Sequence, residues 1–383
     1  MKILQLGKFY PIRGGVEKVM RDLTEGLSGR GVPCDMLCAK LPSAPVDAKD
    51  KGKETEAEGI TTIRLNGRGK IICVPARAKV AGTMISTAMV SYLKGHCGEY
   101  DIIHIHHPDP MAALALWRSG YKGRVIVHWH SDIVSQRVLF LMYKPLQDWL
   151  LRRAERIVGT TPVYVKESPH LKNSQDKCTY VPIAIHPVPR NPKIVTRMRR
   201  SFLAKYNILS VGRLVPYKGF QYLIEAMTCL PDNYELQIVG EGPLRPELEK
   251  KILEYHMEHR VSLPGYLPEG EEFDALFHAC DVFVLPSVMK TEAFGIVQIE
   301  AMSCGKPVVA TKIPGSGVSW VTKHGVSGLN VPPRSPEALA RAIVEVVNRS
   351  DVYSEGALSL FNERYTFERM IDKILKIYES END

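Results

Sequence analysis

Two glutamates, Glu292 and Glu300, stand eight positions apart in TEAFGIVQIEAMSCGKPVV, with Gly295 between them. A strand–loop–helix reading puts Glu292 in a loop at the carboxyl end of a strand, where open α/β sheets bind ligands. Glu300 then lies two turns into the following helix. The backbone N–H groups of Phe294, Gly295 and Ile296 fall at that helix's N-terminus, a natural anion site. Carboxylates can hold ribose and sugar hydroxyls while amides hold a diphosphate, so the set suits a nucleotide-linked sugar. The plainer alternative is that two glutamates cap and solvate an ordinary helix. The flanks favour chemistry: DVFVLPS (Asp281–Ser287) reads as a buried strand, and Val308-Val309-Ala310 as the next one.

A second constellation lies upstream, in ILSVGRLVPYKGFQYLIEAM. A strand leads into a loop carrying Arg213 and Lys218 beside Gly212 and Gly219, and a helix follows. Two cations on one loop suit a pyrophosphate, Arg as a fork and Lys as a point charge; solvated basic residues are the simpler reading. Gly240-x-Gly242 also follows a strand, but Arg245 occupies the third glycine position of a dinucleotide fingerprint, which favours a short turn. Gly14-Gly15, between a strand and a helix, would let backbone approach a phosphate or sugar. The sequence has no D-x-D. The basic loop would do what a divalent ion does elsewhere, so neither metal nor cofactor is expected.

Five histidines cluster in HIHH (His104, His106, His107) and HWH (His128, His130). An H-x-H on a strand points both rings the same way. Two such strands side by side would assemble a zinc site, though Asp109 and Asp132 do not complete an obvious ligand set. A neutral histidine would alternatively accept a hydroxyl proton.

The stretch from HACDVFVLPS through EAFGIVQIEAM to GKPVVAT and GVSGLNVPP resembles the retaining glycosyltransferases of family 4. The resemblance implies an α/β, GT-B fold: two doubly wound Rossmann-like domains facing across a cleft. It implies that the G-R-x(4)-K-G loop, matched at Gly212, Arg213, Lys218 and Gly219, grips the donor diphosphate. Glu292 would bind the donor sugar and Glu300 the ribose. Glu241 would lie near the nucleotide, and Tyr266 and Leu267 where the family contacts the base through backbone groups. Gly14 and Gly15 match a loop near donor phosphate and acceptor. His106 and His130 would face the transferred sugar or the acceptor hydroxyl, with His106 ranked first as proton acceptor.

The segment HSDIVSQRVLFLMYKPLQDWLLRRAERIVGTTPVY looks like a subset of bacterial mannosyl- and related transferases that build lipid-linked polysaccharide and O-antigen chains. Ser131, Asp132 and Arg137 would meet acceptor groups. GDP-mannose is the favoured donor, with a UDP-sugar as the alternative. Met142–Arg153 suits an interfacial helix, although such a stripe is commonly core. One departure stands out. Where many members carry G-G-x-x-E, this chain has Pro314-Gly315-Ser316-Gly317-Val318-Ser319-Trp320, so the acid's role in sugar selection does not transfer. Two other classes remain: a sugar-nucleotide epimerase, and a noncatalytic partner subunit, against which the intact phosphate loop argues.

These residues need two domains to position them, and 383 residues suit two cores. No run of about 18 apolar residues exists for a membrane span, and MKILQLG shows no signal-peptide pattern. Eight cysteines without a C-x-x-C pair suggest a reduced, cytoplasmic protein. Residues 1–205 hold 33 Lys and Arg against 17 Asp and Glu, and the remainder 17 against 25. A basic first half points to an anionic partner, whether phosphorylated lipid, nucleic acid or the membrane surface, with peripheral contact at the inner face of the cell membrane; the resemblance implies an anionic or lipid-linked glycan as acceptor. No aromatic–basic interleaving suggests nucleic acid. Strand–helix alternation places a first domain at 1–187 and a second at 205–364. Between them, at 188–204, lies a basic connector made extended by Pro187, Pro189 and Pro192. A terminal helix within 365–383 would cross back to the first domain, as in GT-B enzymes.

Overall fold

The computed structural model describes residues 1–65, 67–133 and 137–380, without the side chain of Arg137. The chain forms two compact units, Met1–Pro182 with Phe367–Asp383, and Ile183–Thr366. Buried parallel strands must be apolar on both faces, which is why they read as short hydrophobic runs.

In the second unit six parallel strands lie in the order Val261–Gly265, Tyr234–Val239, Tyr206–Val211, Val282–Leu285, Val308–Thr311, Gly328–Val331. The chain adds strands to one side of Tyr206–Val211, then returns to start again on its other side. The carboxyl ends of Val211 and Leu285 therefore flank the point where strand order reverses, the place where such sheets take ligands.

The first unit repeats the plan in a nine-stranded sheet. From one edge it runs Cys178–Tyr180, Arg156–Gly159, Arg124–Trp129, Ile102–His107, Ile3–Tyr10, Cys34–Lys40 and Lys70–Pro75, all parallel. Ile60–Arg64 and Glu54–Ala57 then add as antiparallel strands. The outermost, ETEA, is exposed throughout and charged, which blunts the free edge. Here the order reverses between Ile3–Tyr10 and Ile102–His107.

The basic connector is not extended along its length. Pro192–Ser201 is a helix, with the Asn191 side chain accepting from the backbone N–H of Lys193. Pro192 sits at the first helical position, where its missing N–H costs nothing; the stretch around Pro187 and Pro189 lies outside helix and strand. The helix belongs to the second unit: Val195 packs with Ala275 and Ala279, and Arg199 pairs with Asp281 at 3.2 Å.

The terminal helix Phe367–Glu379 buries Met370, Ile371, Ile374 and Tyr378, a single face at helical spacing, and groups with the first unit. It lies against the helix Gly15–Gly29, where a Cβ at Gly26 would overlap Ile371 and Phe367. Arg30 pairs with Asp372, and Arg124 donates to the Tyr378 carbonyl at 2.6 Å. Residues 381–383 lie outside the described residues.

Candidate active site

At the second unit's switch point two loops meet. The first, Gly212–Gly219, turns through Gly219 at φ +68°, where a Cβ would overlap the Pro286 carbonyl of the second. That approach brings Lys218 Nζ to 2.5 Å from Glu292 Oε2, and both side chains are about nine-tenths buried. Burial is the largest influence on the Lys218 ammonium and pulls its pKa down. The Glu292 carboxylate, the Tyr217 phenol and the hydrogen bond outweigh it and hold the pKa above the ordinary value.

Glu292 is held from three directions. Ser287 Oγ donates to the same carboxylate oxygen at 3.0 Å. Ser316 Oγ donates to the Glu292 carbonyl at 2.5 Å, and the Gly317 N–H to the Ala293 carbonyl at 2.9 Å. The segment that lacks the expected acid thus clamps the Glu292 loop through short polar groups. On the far side Gln298 donates to the Phe294 carbonyl at 2.7 Å and accepts from Thr322 Oγ1 at 2.7 Å. None of Ser287, Ser316 or Gln298 has a sequence signature. Each is legible only once the loop is folded.

Gly295 caps the helix Ile296–Ser303 at φ +75°, and a Cβ there would crowd Leu285 and Gln298. The N–H groups of Phe294, Gly295 and Ile296 lie at this N-terminus, and Phe294 is buried. Glu300 is the fifth residue of the helix, little more than one turn in rather than two, and half-buried. Arg213 is exposed on the cation loop. Gly240 and Gly242 serve packing: a Cβ on either would overlap the Gly212–Leu214 backbone. Exposed Glu241 accepts from Arg245 at 2.9 Å, and Arg245 also donates to the Leu263 carbonyl at 2.9 Å, tying two loops together. Beyond them Tyr266 is exposed and Leu267 half-buried.

The first unit's switch point carries the histidines. His104, His106, His128 and His130 share one sheet face, and strand register sets His106 beside His128. His106 Nδ1 lies 2.9 Å from His130 Nε2, and His106 Nε2 2.8 Å from Gln5 Oε1. His104 Nδ1 lies 2.6 Å from the Tyr378 hydroxyl. Burial pushes all four, and His107 on the opposite face, well below the ordinary histidine pKa. One nitrogen from each of His104, His106 and His128 lies within 4.8 Å of the others. The rings stack instead of converging, at centroid distances of 4.9–5.2 Å, and both His106 nitrogens are already engaged. The arrangement is a hydrogen-bonded stack in which a three-histidine metal set would have to break existing bonds.

Around it, Gly14 caps the helix Gly15–Gly29, and both glycines are exposed. The buried Glu17 carboxylate turns back over Gly14; burial raises its pKa and the Lys8 ammonium opposes this. Lys8 in turn donates from its backbone N–H to Asp109 and from its amine to the Pro108 carbonyl. Asp132 is engaged internally, accepting from Trp129 Nε1 at 3.0 Å and Ser168 Oγ at 2.6 Å. Ser131 is half-buried beside it. The acceptor contact expected of the Arg137 side chain lies outside the described residues.

Comparisons with known proteins give the family and the fold. The Glycosyl transferase 4-like domain matches residues 14–184, and Glycosyl transferases group 1 matches residues 197–355. The chain belongs to the family 4 glycosyltransferases. It is 29% identical to the O-antigen chain mannosyltransferase C of Escherichia coli, over 99% of this chain and 98% of that protein. The D-rhamnosyltransferase WbpZ of Pseudomonas aeruginosa is 29% identical over 90% of this chain and 86% of its own. Among solved structures, Anabaena HepE in complex with UDP covers both chains fully, with a TM-score of 0.78 at 20% identity. The architecture of this family 4 enzyme is accordingly GT-B.

Proposed function

We propose that this glycosyltransferase moves a hexose, with mannose favoured, from a nucleotide sugar to a hydroxyl of a lipid-linked glycan, retaining the anomeric configuration and using no metal. The observation that carries the reading is the Lys218–Glu292 pair, held nine-tenths buried at the switch point beside a helix N-terminus. Lys218 and Arg213 take the diphosphate with the amides of Phe294–Ile296, and Glu292 takes sugar hydroxyls. Glu300 takes the ribose, while Glu241 and the backbone of Tyr266 and Leu267 flank the base. Mannose as the transferred sugar is supported by the name of the E. coli relative; GDP-mannose is the favoured donor on that ground, and the UDP bound to HepE keeps a UDP-sugar as the alternative.

The cations neutralise charge on the leaving diphosphate, and losing one such contact costs ~3 kcal/mol in the transition state. Glu292 already shares one oxygen with Lys218 and Ser287, which suits orientation better than nucleophilic attack. The reading therefore has the leaving phosphate assist deprotonation of the acceptor on the same face of the sugar. Glu292→Gln should preserve the fold and cut turnover by about 10²-fold or more. Unchanged turnover would remove Glu292 from its role, and an inverted anomeric centre, read by NMR, would remove the retaining mechanism.

Peripheral membrane contact belongs to the same reading. No helix among the described residues is long and apolar enough to cross a membrane. The helix Arg137–Arg153 buries Tyr143, Gln147, Leu150 and Leu151 but leaves Val138, Leu139, Leu141 and Met142 exposed at its start. The expected Leu/Trp stripe is thus largely core, and the apolar surface lies one turn upstream. Salt-sensitive sedimentation with anionic vesicles, weakened by Leu141→Ser with Met142→Ser, is the expected outcome.

A further inference from the structure

A single hydrogen-bonded row crosses the first unit's sheet, from its terminal helix to the histidine pair. The Tyr378 hydroxyl lies 2.6 Å from His104 Nδ1 and 3.1 Å from Gln5 Nε2. Gln5 Oε1 lies 2.8 Å from His106 Nε2, and His106 Nδ1 lies 2.9 Å from His130 Nε2. All five side chains are buried, none more than 5% exposed. At each contact of such a row a donor must face an acceptor.

Imidazole can place its proton on either nitrogen, and a hydroxyl can turn. The Gln5 amide is the member with one fixed donor end and one fixed acceptor end, so its orientation sets the direction of the row. Its oxygen only accepts; His106 therefore carries its proton on Nε2. His106 Nδ1 is then a bare acceptor and must receive the Nε2–H of His130. His130 Nδ1 is left bare, and it is among the buried nitrogens without a partner. At the other end the Gln5 amide donates to Tyr378 and faces Cys34 Sγ at 3.7 Å, and the Tyr378 hydroxyl donates on to His104 Nδ1, which leaves the His104 proton on Nε2, outside the row and without a partner.

We infer that Gln5 and Tyr378 are positioning residues that hold His106 and His130 as Nε2–H tautomers, leaving His130 Nδ1 as the one nitrogen of the pair able to take a proton. This ranks His130, not His106, as the ring that can accept a hydrogen bond from a hydroxyl. That the hydroxyl is a glycan's, its proton passing to the leaving phosphate while His130 orients it, rests on the proposed function; the tautomers do not. The titratable groups that act most on the pair are Lys8, His104, His107 and His128, with Cys34 and Tyr378 beyond Gln5; of the buried carboxylates next in sequence, Asp109 accepts from the Lys8 N–H and Asp132 from Trp129 and Ser168. Burial, the other imidazoles and Lys8 keep both rings neutral at neutral pH, which is the condition under which a tautomer is defined.

Long-range 1H–15N correlation on the intact chain labelled at histidine, at pH 7.5, reads the tautomers directly. His106→Gln and His130→Gln assign the two rings. Both should show the Nε2–H pattern in the wild-type chain. Tyr378→Phe frees the amide to turn and should give mixed tautomers at His106. Gln5→Leu should do the same at both rings. Gln5→Glu, which can only accept, should keep Nε2–H and raise the pair's titration by about one to two pH units. Nδ1–H on either ring of the wild-type chain would overturn the inference, since the row would then run the other way. Unchanged tautomers in Tyr378→Phe and Gln5→Leu would overturn it equally. If Gln5→Leu fails to fold, the wild-type spectrum and Tyr378→Phe still decide. Failure of every nucleotide sugar to turn over would remove the proposed function and leave these spectra standing.

Discussion

The two units place their polar groups at the same topological point and treat charge in opposite ways. In the second unit a buried lysine lies 2.5 Å from a buried glutamate, whose carboxylate holds the ammonium's pKa up, and Ser287 steadies the pair. In the first unit four histidines stacked on one sheet face have each other, Gln5 and Tyr378 as hydrogen-bond partners, and burial drives them neutral. One switch point carries a buried ion pair, the other a stack of neutral imidazoles. An electrostatic difference of this kind cannot be read from the fold, which is alike in both.

The largest expected effect separates the units by acid. A histidine held neutral in the folded state has a folded pKa below its unfolded value of about 6.5, so the unfolded chain binds more protons below that pH. Its contribution is complete above about pH 6.5 and is lost as pH falls toward the folded pKa. At pH 5.5 each fully buried histidine removes about 1.4 kcal/mol, an effect partly offset by Glu17, Asp22, Asp35 and Asp109, whose pKa values burial raises and which therefore favour the folded state as pH falls. The second unit has one histidine lowered by burial, His278, and it is only half-buried. Urea unfolding at pH 7.5 and 5.5 should show the first unit failing alone; joint failure of both would break the contrast.

The next effect breaks the ion pair. Lys218→Met strands a buried carboxylate and should cost about 3 kcal/mol of stability and 10²–10³-fold in turnover. Adding Glu292→Leu should restore much of the stability but none of the activity, a sign that the pair serves function and not folding. Smaller still, Gly219→Ala forces a Cβ into the left-handed region and against the Pro286 carbonyl; it should cost more than about 1 kcal/mol by denaturant titration. Gly14→Ala, at φ −130° and facing a carboxylate able to swing, should cost less. Asn191→Ala, removing a helix cap, should cost about 1 kcal/mol.

Much of this was legible in the sequence. Fully buried parallel strands announce themselves as apolar runs bounded by Gly and Pro, and the loops that follow them carried Arg213, Lys218 and Glu292. The antiparallel strand Ile60–Arg64 was not, because a short half-buried segment rich in Thr has no run to show. Pro192 misled for a different reason: proline breaks a helix interior but suits its first turn. The Lys218–Glu292 contact spans 74 residues and the Gln5–Tyr378 contact 373, and no local pattern encodes a partner that distant. Even so, the lone Gln5 in the apolar strand ILQLGKFY was a visible clue, since a buried amide must find partners somewhere.

The central claim is that the Lys218–Glu292 site binds a nucleotide sugar through protein cations. Calorimetric titration of GDP-mannose, with UDP-glucose and GDP in parallel, into the wild-type chain and into Lys218→Met, all in EDTA, tests it most directly. The account predicts binding by the wild type and at least about tenfold weaker binding by the variant. Equal affinity in both chains, or no binding of any of the three by the wild type, would contradict it.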